Sequence, residues 1–167
     1  MSYGTLISTV SVGAGGATSI DFTSIPQTYT DLVLVCSGRL NGTGFDLQVK
    51  LNGSTTGYTT RYLDGSGTAA SSGTNTNTQG YAGKIEPSSY TTNTFGNLQI
   101  YIPNYAGSAT KVWSSDSVIE NNASAGYDSI LAGISSITAG ITSISLADWS
   151  NTASFVQYST ASLYGVR

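Results

Sequence analysis

The sequence predicts an all-β fold: an antiparallel β-sandwich or jelly roll of about 8–11 short strands with little or no helix. Three observations predict it. Phe45, Leu47, Val49 and Leu51 alternate with Asp46, Gln48 and Lys50, a period of two that a helix cannot produce. Leu98, Ile100 and Ile102 repeat that pattern against Gln99 and Tyr101. Charged residues make up only 9% of the chain, and Ser, Thr, Asn, Gln and Gly take their place, which suits strands better than Glu- and Lys-dependent helices.

The elements follow in order. Residues 5–12 read as a first strand with Leu6, Val10 and Val12 on one parity, ended by the glycine-rich 13–16. Residues 18–22 form a second, with Ile20 and Phe22 inward. The most apolar run lies in residues 24–40, where a turn at Pro26 leads into Leu32-Val33-Leu34-Val35, and a short continuous apolar run reads as a strand covered on both faces. Asn41-Gly42-Thr43-Gly44 has hairpin chemistry, and Asn52-Gly53 closes the strand that follows.

Residues 58–63 make a polar strand with Tyr58 and Tyr62 on one parity. Residues 64–80 contain no apolar periodicity and read as a long polar loop. Strands are expected at 81–85 and 95–102, the latter stopped by Pro103. Another is expected at 111–119, followed by a turn at Asn121-Asn122 and Gly126. Ile130, Ile134, Ile137, Ile141 and Ile144 recur at helical spacing. Gly133 and Gly140 disfavour a helix and Ile and Thr prefer sheets, so two strands are expected, at 130–134 and 141–146. Residues 155–158 and 161–166 complete the set, and the last strand pins the C-terminus inside a sheet.

A chain of 167 residues fits a single sandwich domain, residues 1–167. Net charge is −3, and the six Lys and Arg are scattered, so no basic patch exists for nucleic acid or for electrostatic membrane attachment. No run reaches the ~20 apolar residues of a membrane helix. Met1-Ser2-Tyr3-Gly4 has no basic n-region, which predicts synthesis in a cytoplasm without a signal peptide. The sequons at Asn41 and Asn52 then mark turns. Cys36 is the only cysteine and reads as a small buried hydrophobe.

Catalytic chemistry is sparse. The chain has no histidine, which removes Ser-His-Asp, Cys-His and imidazole–zinc units. Asp21, Asp31, Asp46, Asp64, Asp116, Asp128 and Asp148 fall mostly at expected strand ends or turns, where Asp caps backbone groups locally. Asp64-Gly65-Ser66-Gly67 lacks the spaced acids of a calcium loop, and Gly13 to Gly16 is followed by no Lys-Ser/Thr. No catalytic residue, metal site or cofactor is expected. Of eleven tyrosines, Tyr58, Tyr62, Tyr81, Tyr90, Tyr101 and Tyr105 lie near polar strands or loops and are the candidate interface or glycan contacts.

Four pieces of the chain carry a resemblance. They are Ser24-Ile25-Pro26-Gln27-Thr28-Tyr29-Thr30-Asp31-Leu32-Val33-Leu34-Val35; Leu51-Asn52-Gly53-Ser54; Ile100-Tyr101-Ile102-Pro103-Asn104-Tyr105-Ala106-Gly107 with Lys111; and Leu163-Tyr164-Gly165-Val166. Together they resemble a group of small β-sandwich virion proteins of tailed bacteriophages, common in marine and cyanobacterial phages. The resemblance implies a non-enzymatic structural role in the virion. The leading expectation is an outer capsid decoration or cement protein, working as a homotrimer and touching major capsid or tail proteins. The alternative is a tail, baseplate or fibre component, including a receptor-binding module for host-surface glycans. No family catalytic residues exist to carry over, and Cys36 stands where a small or apolar residue is expected.

Overall fold

The computed structural model describes residues 4–123 and 125–167. The expectation about Met1, Ser2 and Tyr3 lies outside the described residues. Among the described residues there are twelve strands and no helix: β1 (Thr5–Ser11), β2 (Ser19–Phe22), β3 (Asp31–Gly38), β4 (Asp46–Leu51), β5 (Tyr58–Gly65), β6 (Ala70–Asn77), β7 (Gly80–Lys84), β8 (Gly96–Ile102), β9 (Lys111–Glu120), β10 (Gly126–Ser135), β11 (Ile144–Asp148) and β12 (Thr160–Val166).

They form two antiparallel sheets, β1-β12-β3-β8-β9-β10-β5-β6 and β2-β11-β4-β7. Pairing is nested: β1 with β12, β2 with β11, β3 with β8, β4 with β7. Chain ends pair first and inner strands successively, with alternate pairs in opposite sheets, which is the jelly-roll arrangement. Two insertions are added to that roll. The hairpin β5–β6 leaves between β4 and β7, and β9–β10 between β8 and β11. They pair with each other through β10 and β5 and lengthen the larger sheet by four strands.

One contiguous core lies between the sheets. Leu32, Leu34, Cys36, Leu98, Ile100, Ile102 and Leu163 of the larger sheet face Ile20, Phe22, Leu47, Val49, Leu51, Ile144 and Leu146 of the smaller. The second face of β3 has no layer over it. Val33 is buried because Tyr101 and Tyr164 flank it in register.

The turn after β8 explains the Pro103-to-Lys111 pattern. Asn104 takes a left-handed φ of 48°, and Gly107 N–H donates to its carbonyl. The Tyr105 hydroxyl donates to the Pro26 carbonyl. Lys111 is buried and its ammonium donates to the carbonyls of Gly107, Ala109 and Thr138, while desolvation pulls its pKa below the ordinary lysine value.

Several expectations are corrected. Residues 64–80 are not a loop: β5 runs to Gly65, and β6 pairs with it along eight residues, Tyr58↔Asn77 through Gly65↔Ala70. As an edge strand with no layer over it, β6 carries no apolar face to reveal it. Asn41-Gly42 is not a hairpin, since neither residue has positive φ and the segment crosses between sheets, tied by Asn41 N–H to Ser154 O and Ser154 N–H to Asn41 Oδ1. Asn52 and Gly53, at φ 51° and 65°, do form the positive-φ turn. Residues 155–158 form no strand. Phe155 makes single bridges to Ala17 and Leu40, and Tyr158 turns the chain at φ 73°. Leu6 is exposed because a bulge between Leu6 and Ser8 flips its parity. Gln48 is buried, its amide donating to Asp148 O and Asn151 Oδ1. The expected 130–134 and 141–146 strands exist with shifted bounds, as β10 and β11.

Candidate functional site: an apolar sheet face and a lysine-centred cleft

The four added strands depart from the usual inside-apolar pattern: beside buried Tyr58, Trp113, Ile119 and Leu131 they turn hydroxyls inward. Their inner face presents Thr60, Ser115, Ser117, Ser129 and Ser135, all buried. The cause is β7. It is the edge strand of the smaller sheet, so one side of its backbone lacks a strand partner, and buried backbone groups must be paired. Hydroxyls from the extension do this. Tyr81 N–H donates to Thr60 Oγ1 at 3.3 Å, Lys84 N–H to Ser117 Oγ at 3.0 Å, and Ser115 Oγ donates to the Ala82 carbonyl.

Opposite these hydroxyls, most aliphatic residues of the strands face out, Ile119 and Leu131 excepted. Leu63, Val112, Val118, Ile130 and Ile134 are each exposed, Ile130 at 51%, and Tyr101 joins them from β8. The registers place them in rows across the sheet. Gln99, Asp116, Ile130, Leu63 and Ser72 form one row, and Tyr101, Ser114, Ala132, Arg61 and Thr74 the next. A shallow groove of about 550 Å³ runs over Ser114 and Ala132 between Arg61, Tyr101, Asp116 and Ile130. Arg61 and Asp116 stand on opposite sides of β10, and neither makes an ion pair among the described residues.

The second feature lies where the smaller sheet meets the extension. Lys84 of β7 is 5% exposed, and its ammonium is 3.2 Å from Asp46 Oδ1 of β4 and 3.1 Å from Asp64 Oδ2 of β5. It also donates to the Tyr81 hydroxyl at 3.0 Å. The ammonium therefore makes two hydrogen bonds, to Asp46 and Tyr81, and an ion-pair contact with Asp64. The rings of Phe45 and Tyr127 each lie 4.9 Å from it. Ser129 Oγ donates to Asp64 Oδ1, and the Tyr81 hydroxyl to Asp46 Oδ1 at 2.8 Å. Burial, reinforced by Asp46, raises the Tyr81 pKa, so its hydroxyl stays a donor. Beside this cluster opens a polar cleft of about 180 Å³ lined by Asp46, Tyr62, Asp64, Asn75, Tyr81, Lys84 and Trp149.

The six singled-out tyrosines separate. Tyr58, Tyr81 and Tyr105 are at most 3% exposed and are corrected to core positions, Tyr81 also lining the cleft. Tyr58 accepts the Leu51 N–H and meets Trp113 edge-on, 6.1 Å between ring centroids. Tyr90 is half-buried in the segment after β7, where the Arg39 guanidinium gathers the carbonyls of Ser88, Tyr90, Thr91 and Thr94. Tyr62 lines the cleft and Tyr101 the outer face, where its hydroxyl donates to Asp31 Oδ2 at 2.8 Å and that bond raises its pKa. Sequence reasoning missed Trp149, Asn75 and Lys84 in the cleft, and Ile130, Ile134 and Leu63 on the face. Strand parity alone held a signal for the isoleucines.

Among the described residues no group of His, Cys, Asp and Glu side chains could hold a metal ion. No helix among them is long and apolar enough to cross a membrane. In comparisons with known proteins, no family model and no curated sequence matches the chain.

Proposed function

We propose that this chain is a non-enzymatic structural protein of a tailed-phage virion, an outer capsid decoration or cement subunit that acts as a homotrimer and braces neighbouring capsid proteins. The observation that carries the self-assembly is the outer face of β9, β10 and β5. Exposed Leu63, Val112, Ile130 and Ile134 lie on that face in two rows, with Ala132 between the isoleucines along β10, on a chain with few charges. Arg61 and Asp116 stand on the same face, on opposite sides of β10. In a closed ring, one copy's Arg61 meets the next copy's Asp116, a head-to-tail contact that three-fold symmetry closes.

The open edge of β6 supports the same reading. Ala-Ser-Ser-Gly-Thr-Asn-Thr-Asn has no Lys, Glu or Pro, the residues that keep monomeric edge strands apart. Stable contacts need about 1,600 Å² in total, and display of many copies multiplies weak ones. The sequence resemblance supports the virion assignment. Electron microscopy of particles carrying the tagged chain tests it: density on the capsid exterior is expected, and density confined to a tail or fibre would replace the decoration role with the tail one.

A further inference from the structure

We infer that the cleft beside Lys84 is a binding site for a single neutral pyranose ring, a function beyond the structural role above and independent of it. At about 180 Å³ the cleft is smaller than the ~300–1,000 Å³ of drug-sized pockets, so it takes one small ring. Its lining is mostly polar, with Tyr62, Tyr81 and Trp149 as its aromatic residues. Tyr62 and Trp149 are half-buried, and each meets Tyr81 edge-on, at 5.4 and 5.9 Å between centroids and interplanar angles of 65° and 88°. Rings braced this way are held in place and add a small apolar area to a mostly polar lining, which suits the mixed C–H and hydroxyl surface of a sugar ring.

The polar groups left over match hydroxyls. Asp46 uses Oδ1 for Tyr81 and Lys84, its side chain is 44% exposed, and no hydrogen bond among the described residues engages Oδ2. That oxygen accepts one hydroxyl proton. Asn75 of β6 lines the opposite side, and its side-chain amide has no partner among the described residues, leaving both a donor and an acceptor. A carboxylate and an amide across a small cleft fit two ring hydroxyls.

Charge selects against acidic sugars. Two carboxylates, Asp46 and Asp64, face one ammonium, and that ammonium is already ion-paired with both and hydrogen-bonded to Asp46 and Tyr81. A sialic acid or uronate carboxylate would enter a site with net negative charge and no uncommitted cation on its walls, which costs energy in a partly desolvated cleft.

The test is a titration of the full ¹⁵N-labelled chain with methyl glycosides of glucose, galactose, mannose and N-acetylglucosamine, and with N-acetylneuraminic and glucuronic acids, up to about 50 mM because single-ring sites bind near the millimolar range. The expected result is saturable shifts for at least one neutral glycoside, confined to the Asn75 side-chain amide, the Trp149 indole and their neighbours, and none for the acids. Trp149→Ala and Asn75→Ala, checked for native dispersion, should each weaken binding at least about tenfold, equivalent to ~1.4 kcal/mol. Absence of saturable shifts with all four neutral glycosides would overturn the inference, as would tighter binding of either acid. A variant locked as a monomer should bind the sugar equally, which separates this site from the assembly reading.

Discussion

The indole of Trp113 occupies the space where Gly133, its direct cross-strand partner, would carry a side chain. A β-carbon on Gly133 would fall 2.1 Å from Trp113 Cε2 and Cζ2. The same device recurs one strand pair away, where Tyr62 covers its partner Gly73, and from the far side Gly80 of β7 also leaves room for the Trp113 ring. A glycine weakens a strand because it offers no side chain to pack, and an aromatic laid across it fills that gap.

Gly133→Ala should therefore destabilise the extension strongly, by about 3 kcal/mol, the upper part of the overpacking range. Urea unfolding would show the drop. Trp113→Leu in the Gly133→Ala background should recover part of it, so the double variant costs less than the two single changes added together. Simple additivity would mean that the two residues do not share this space.

Ser117→Ala removes the hydroxyl that receives the Lys84 backbone N–H inside the protein. A buried donor left unpaired costs about 1–3 kcal/mol. Ser114→Ala, on the exposed side of the same strand, should cost under about 0.5 kcal/mol. Equal denaturation midpoints for the two variants would contradict the edge-covering role of the inner hydroxyls.

Lys84→Met leaves Asp46 and Asp64 facing one another without their shared cation. Loss of one partner of a buried ion pair costs about 3–5 kcal/mol. Adding Asp64→Asn should return a substantial part, because the uncompensated charge is then gone. Thermal melting of the single and double variants measures both effects.

Cys36 is buried, and desolvation pushes its thiol from an ordinary value of 9.0 up to about 12. It should resist aromatic disulfide reagents in the native protein and react fully in denaturant. The native state holds this proton where the unfolded chain releases it. The resulting contribution to stability is complete below pH 9.0 and is lost as pH rises through about 12. The stability difference between wild type and Cys36→Ala should shrink over that window. A constant difference would contradict the shift.

The eight strands of the roll were legible because an apolar layer writes alternation into them: Leu47, Val49 and Leu51 in β4, and Leu98, Ile100 and Ile102 in β8. The extension was harder to read for a physical reason. Its inward positions include Ser115 and Ser117, which pair with the edge of β7, and Ser129, which donates to Asp64, so its buried face carries no regular apolar alternation. Ile130 and Ile134, four apart, looked like part of a helical seam although both lie on the outer face of β10. Gly133 spoke only against a helix, and the aromatic partners of Gly133 and Gly73, Trp113 and Tyr62, are set by register rather than by sequence neighbourhood. The cleft joins β4, β5, β6 and β7 with Trp149 beyond β11, and no local spacing announces such a meeting.

The mass of the native protein in solution, by light scattering at micromolar concentration, tests the assembly claim most directly. The wild type should run at three times its 17.2 kDa chain mass, and the Ile130→Lys/Ile134→Lys variant, still folded by circular dichroism, at the monomer mass. A wild type of 17.2 kDa, or a charged variant that keeps the higher mass, would contradict an interface built on the outer face of β10.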